Sequence, residues 1–172
     1  MTYNIHPIFV HFPIALLFIY SIIKILPLEK WFPTVSWKHI ERALLVFGTL
    51  GAFAALTTGE VAEHLAKPNH QLVEMHSLFA GISTWVYTAL LLGEILTILK
   101  EKFSFKFEKF VTLNKAINFI QKILTNEIIV LVLAIVGFVA ITVTGLLGGV
   151  MVYGTSADPF AKIVLQILGI QF

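Results

Sequence analysis

The sequence predicts an all-α integral membrane protein: a four-transmembrane-helix bundle with both termini outside the cytoplasm, plus interfacial amphipathic helices. Three observations carry this. Hydrophobic residues make up 58% of the 172-residue chain and charged residues only 13%, against about 25% charged in a soluble domain. The apolar residues fall in four runs, each long enough for the ~20 residues that cross ~30 Å of hydrocarbon. The basic residues gather in two blocks between those runs. No separate soluble unit is evident, so residues 1–172 read as one domain.

The first span is expected at about 7–27. Pro7 suits the first helical turn, where no donor is missed, and Pro27 closes the run. The second, about 37–66, starts at Trp37 and stops before Pro68. The third, about 71–99, follows Asn69, a good N-cap. The fourth covers about 127–150. Lys24, Lys30, Lys38 and Arg42 surround the first connection, and Lys100, Lys102, Lys106, Lys109, Lys115 and Lys122 crowd the third. The other side offers only Lys67 and Lys162. The positive-inside rule puts the lysine-rich side in the cytoplasm. No secretory leader is expected, since no Lys or Arg precedes the first span.

Trp31, Phe32 and Trp37 suit an aromatic belt at the inner interface. In segment 103–124, Phe110, Leu113, Ile117, Ile120 and Ile123 recur at helical spacing between lysines. That pattern predicts a basic amphipathic helix on the anionic inner leaflet. Phe103, Phe105 and Phe107 alternate with a strand-like period. In segment 158–172, Asp158-Pro159 makes an N-cap and first turn. Phe160, Ile163, Val164, Ile167 and Leu168 then predict a short helix on the outer face. Gly48, Ala52, Ala55 and Gly59 form a small-residue stripe on the second span. Ala134, Gly137, Ile141, Gly145 and Gly148 form another on the fourth, and both allow close helix approach.

There are no cysteines. Disulfides, thiolate metal sites and C-x-x-C-H haem attachment are therefore excluded, and any metal must be held by nitrogen or oxygen. The net charge of +2 gives no reason to expect nucleic acid, because the basic residues flank apolar spans.

Five of the six histidines fall on the outer side: His6, His11, His64, His70 and His76. Glu60, Glu63 and Glu74 join them. At 1.5 Å per residue, His11, Glu60 and His76 form an inner layer about a turn or more inside, while His6, Glu63, His64, His70 and Glu74 lie at the rim. His76 shares a stripe with Ala80, Ser83 and Tyr87, a face suited to the bundle interior. Pro13 deprives the Phe9 carbonyl of its donor, and a kink there is expected to turn His11 inward. Ionisable residues inside a span are functional candidates by default, which singles out His11 and His76. His64 and His70 are expected to sit harmlessly among headgroups.

The motif H-P-x-x-V-H-F-P-I-A-L (His6 to Leu16) resembles a bacterial membrane-protein family catalogued as domain of unknown function 2231. So do T-G-E-x-A-E (Thr58 to Glu63), V-E-x-H (Val73 to His76) and T-G-x-L-G-G-x-x-V-Y (Thr144 to Tyr153). The resemblance points at His6, His11, Glu60, Glu74 and His76. It implies a bacterial inner-membrane location, and fusions to Rieske or cytochrome c domains among members imply respiratory electron transfer. Relatives often carry His-Gly after the V-Y; here Gly154-Thr155 follow Tyr153, which removes a ligand from the end of the fourth span.

The leading expectation is haem b, with His11 and His76 as axial iron ligands from two helices, and with His6, Glu60 or Glu74 near propionates or orienting the ligands. Such a protein would carry electrons, with the lipid bilayer, quinol or respiratory-complex subunits as partners. One alternative is a two-His-one-carboxylate site, His11, His76 and Glu60, for a single Fe, Zn or Cu ion. Another is a cofactor-free structural or proton-relay subunit. Glu94 suits a relay by position but is expected to pair with Lys24 or Arg42. No catalytic residue is assigned, and whether the protein is an enzyme stays open.

Overall fold

The computed structural model describes residues 4–66, 69–103, 111–156 and 158–170. The element order is α1 (His6–Ile25), α2 (Leu28–Trp31), α3 (Trp37–Ala66), α4 (His70–Phe103), α5 (Val111–Leu124), α6 (Glu127–Tyr153), a 3₁₀ turn (Gly154–Ser156) and α7 (Ala161–Ile167). α1, α3, α4 and α6 are long and apolar enough to cross a membrane. Local chemistry sets their ends. The Asn69 side chain accepts from the Gln71 and Leu72 amides at the start of α4, and Asn126 does the same for Ile128 and Ile129 at the start of α6. Gly154, at φ 70°, ends α6 in a backbone conformation that favours glycine.

The four long helices form a ring in the order α1, α3, α4, α6, with α6 closing against α1. α1 and α4 therefore stand diagonally opposite. Neighbours are antiparallel and closely fitted. A Cβ on Gly48 of α3 would lie 2.5 Å from Leu17, one on Gly51 would lie 3.2 Å from Pro13, and one on Gly137 of α6 would lie 2.8 Å from the Tyr87 ring. The small-residue stripes thus receive particular side chains. Gly51, outside the expected stripe, receives the proline. Leu17, Tyr20, Leu45, Ala52, Tyr87, Leu90 and Ile141 make the main core.

α1 continues through Pro13 as one helix. Pro13 is buried against α3, and it does not turn His11 inward, because His11 is exposed. Helical geometry gives the reason. Two residues are about 200° of rotation, so a buried Pro13 sends His11 to the opposite side.

A second core joins Leu72, Leu147 and Val150 to Ala161, Leu165 and Ile170, so α7 lies over the ends of α4 and α6. Phe160, Ile163 and Ile167, from the apolar stripe expected there, are exposed. Asp158 accepts from the Phe160 amide at 2.7 Å. At the opposite end α5 folds back on α4, Gln121 bonding Lys100 at 3.2 Å. Its Phe119, Ile120 and Ile123 are exposed. Phe105 and Phe107, of the strand-like alternation, lie outside the described residues.

Candidate functional site

Two ends of the bundle concentrate the polar chemistry. At the lysine-rich end, Lys24 of α1 pairs with Glu41 of α3, and Arg42 of α3 pairs with Glu94 of α4. Lys38 stands 3.5 Å from Glu101. Glu94 therefore has the partner expected for it, Arg42, and the pairs tie three helices together where they meet the membrane surface.

At the opposite end two imidazoles stand on diagonally placed helices. His6 opens α1 and His76 lies in the second turn of α4; both are half-buried and within electrostatic range of each other. Each is seated against a glycine. A Cβ on Gly59 would lie 3.4 Å from His6 Cε1, and one on Gly148 would lie 3.3 Å from His76 Cε1. The small residues let the rings lie flat on the neighbouring helices.

Hydrogen bonding settles the tautomers. His76 Nδ1 lies 3.0 Å from the Thr144 carbonyl oxygen. A carbonyl only accepts, so His76 Nδ1 carries the proton and donates. His6 Nδ1 lies 3.0 Å from Thr58 Oγ1. That hydroxyl has one proton, and it is directed at the Ala54 and Ala55 carbonyls at 3.0 and 3.1 Å. Thr58 therefore accepts from His6, and His6 Nδ1 also carries a proton. His76 Nε2 is left as a lone-pair acceptor with no hydrogen-bond partner among the described residues, and the same tautomer leaves His6 Nε2 unprotonated.

The remaining expected site residues are dispersed. His11 is exposed, and the imidazole in electrostatic range of His76 is that of His6. Five residues rotate a helix by about 500°, so His6 and His11 lie about 140° apart and cannot both face α3. Glu60 is exposed beside Gly59. Glu74 is exposed too, 3.9 Å from the equally exposed His70. His64 is also exposed. Among the described residues no three His, Asp or Glu side chains converge, so His11, His76 and Glu60 do not meet as a ligand set. His76 does share an inward stripe with the buried Ser83 and Tyr87.

Sequence reasoning missed Thr58 and the Thr144 carbonyl as the groups that orient the rings. It also missed the centre of the bundle, where Tyr87 Oη lies 2.8 Å from Ser21 Oγ and donates toward the Leu17 carbonyl at 3.3 Å. Thr58 had a signal: it lies one turn before Ala62 in the T-G-E-x-A-E stretch, adjacent to a glycine that admits a ring. A backbone carbonyl on another helix has none.

These features define a class: a four-helix integral membrane protein with a paired-imidazole site at one end and an ion-paired collar at the other. The family model for domain of unknown function 2231, described as a predicted membrane protein, matches residues 2–157, and the chain belongs to that family. No curated protein and no solved structure matches it.

Proposed function

We propose that this chain is a membrane-anchored electron carrier that holds haem b at its histidine end, with His6 and His76 as the residues that would hold its iron. One observation carries the reading. Both Nδ1 protons are committed to acceptors on neighbouring helices, which leaves an Nε2 lone pair on each of two rings that stand on diagonal helices within electrostatic range. Metal-ligating histidines characteristically donate their other ring N–H to a carbonyl or similar acceptor, which fixes the tautomer and orientation. This chain's residues supply that arrangement twice, through Thr58 and Thr144. Absence of cysteine suits haem b, which needs no thioether attachment.

When bound, haem would supply one-electron chemistry at the iron. The residues around it do the rest: Thr58 and the Thr144 carbonyl hold the rings, and Gly59 and Gly148 give them room. Two imidazole ligands leave no open position for a substrate, so the role is transfer rather than turnover. A single non-haem ion on the same pair would need a third ligand, and Glu60 is exposed. The lysine distribution favours a bacterial inner-membrane protein with its histidine end outside the cytoplasm. Quinol or a respiratory-complex subunit would then be the electron donor.

The test is a reduced-minus-oxidised absorption spectrum of protein purified with haem supplied. Wild type and His11→Ala should show a Soret band that sharpens on reduction, and His6→Ala and His76→Ala should lose it. The reading fails if wild type takes up no haem, or if the band survives both of those substitutions.

A further inference from the structure

The ion-paired collar borders a half-open cavity of about 250 Å³ among α1, α3, α4, α5 and α6. Its wall includes Tyr20, Lys24, Lys38, Glu41, Arg42 and Glu94. At about 30 Å³ per water the volume exceeds what a few bridging waters fill. Charged side chains in a membrane bundle call for an explanation. The ion pairs account for only part of the polar inventory here.

What remains unsatisfied is a set of donors. Arg42 Nη2 is buried and has no hydrogen-bond partner among the described residues. It stands 4.0 Å from a Glu101 oxygen, beyond hydrogen-bond reach. Tyr20 is only 3% exposed, and its hydroxyl has no hydrogen-bond partner among the described residues. Lys24 spends one of its three N–H donors on Glu41. A buried donor left unpaired is costly, and the Tyr20 hydroxyl and the free Lys24 donors line the same pocket as Arg42, so an acceptor that meets several donors at once fits there.

The wall itself balances Lys24, Lys38 and Arg42 against Glu41, Glu94 and Glu127, and the positive excess lies in the connections around it. Ten of the chain's twelve basic residues, but only six of its ten acidic ones, fall in the first and third connections and the helix ends beside them. Such an excess concentrates anions near the surface. α5 flanks the cavity through Leu124. It exposes Phe119, Ile120 and Ile123 together with Lys115 and Lys122, a combination that belongs at the headgroup layer.

We propose that this cavity binds a phosphate group, with Arg42 Nη2 and the Tyr20 hydroxyl donating to its oxygens and Lys24 and Lys38 supplying charge. Its source is either a phospholipid headgroup of the adjoining leaflet or free phosphate. This site is separate from the imidazole pair and does not depend on the haem reading.

Two measurements on the full chain in detergent test it. Phosphorus assay with native mass spectrometry reads retained phospholipid, and thermal unfolding in inorganic phosphate against chloride at equal ionic strength reads free phosphate. A headgroup ligand gives close to one phospholipid retained per chain and little shift with phosphate. A free ligand gives the phosphate-specific shift with nothing retained. Tyr20→Phe removes a hydroxyl that no protein group uses, so it should leave unliganded melting unchanged and weaken binding about tenfold. Arg42→Lys keeps a cation opposite Glu94 but drops Nη2, and should weaken binding at least as much. The proposal is overturned if wild type shows neither retained phospholipid nor a phosphate-specific shift, which means that water fills the cavity. It is equally overturned if both variants bind as wild type does.

Discussion

The two ends of this bundle handle polar groups in opposite ways. At the lysine-rich end opposite charges from different helices are paired with one another: Lys24 with Glu41, and Arg42 with Glu94. At the histidine end the two imidazoles bond through Nδ1 to Thr58 and to the Thr144 carbonyl on neighbouring helices. One end spends its polar groups on helix–helix adhesion, while the other holds the pair of rings proposed as ligands. Packing energy and binding capacity are therefore separable by mutation.

The largest stability loss is expected from breaking one partner of an ion pair. Arg42→Leu strands Glu94. A fully buried pair would cost about 3–5 kcal/mol, but these side chains keep 25% and 29% of their surface, so about 2 kcal/mol is expected in thermal or denaturant unfolding. Removing both, as Arg42→Leu with Glu94→Leu, should be milder than removing either one, because no charge is then left unpaired. A double variant worse than both singles would contradict the adhesive role.

Between the two ends, Gly137→Ala tests the middle. Its Cβ would meet Tyr87 at 2.8 Å, and that ring is held by Ser21 and Leu17. Overpacking of this kind costs about 1–3 kcal/mol, to be read as a lower melting temperature, with the imidazole site unchanged.

At the histidine end the effects on stability shrink while those on binding grow. Thr58→Val removes the acceptor for His6 and should cost about 1 kcal/mol while loosening any ligand of His6. Thr58→Ser should restore binding, since the hydroxyl is what matters. Smallest of all, His11→Ala and Glu74→Ala, both on exposed faces, should change stability by no more than about 0.5 kcal/mol and leave haem content unaltered. A loss of haem in His11→Ala would return that residue to the site.

The same contrast explains what the sequence disclosed. Four apolar runs and two lysine blocks made the membrane bundle legible, because hydrophobic length and charge segregation are one-dimensional signals. The Glu94–Arg42 pair was legible in part, since a carboxylate inside a span needs a cation and only a few are near. His76 was legible because its stripe of Ala80, Ser83 and Tyr87 shows which face turns inward.

His6 and His11 were weighed by depth alone, and rotation was the missing variable. His6, Pro13, Leu17, Tyr20 and Lys24 lie within about 60° of one another on a helical wheel. Pro13, Leu17 and Tyr20 are buried. Read as a face, that set selects His6 over His11. What no sequence pattern carries is the Thr144 carbonyl, since every residue has one, and the cavity at the collar, whose walls come from five separate helices.

Histidine-selective ¹⁵N NMR on the protein prepared without metal tests the central claim most directly. His6 and His76 should both appear as Nδ1–H tautomers, their unprotonated Nε2 resonances distinct from the averaged signals of the exposed histidines. Finding either ring protonated at Nε2 would mean that the ligand-ready pair does not exist, and the proposed haem site would go with it.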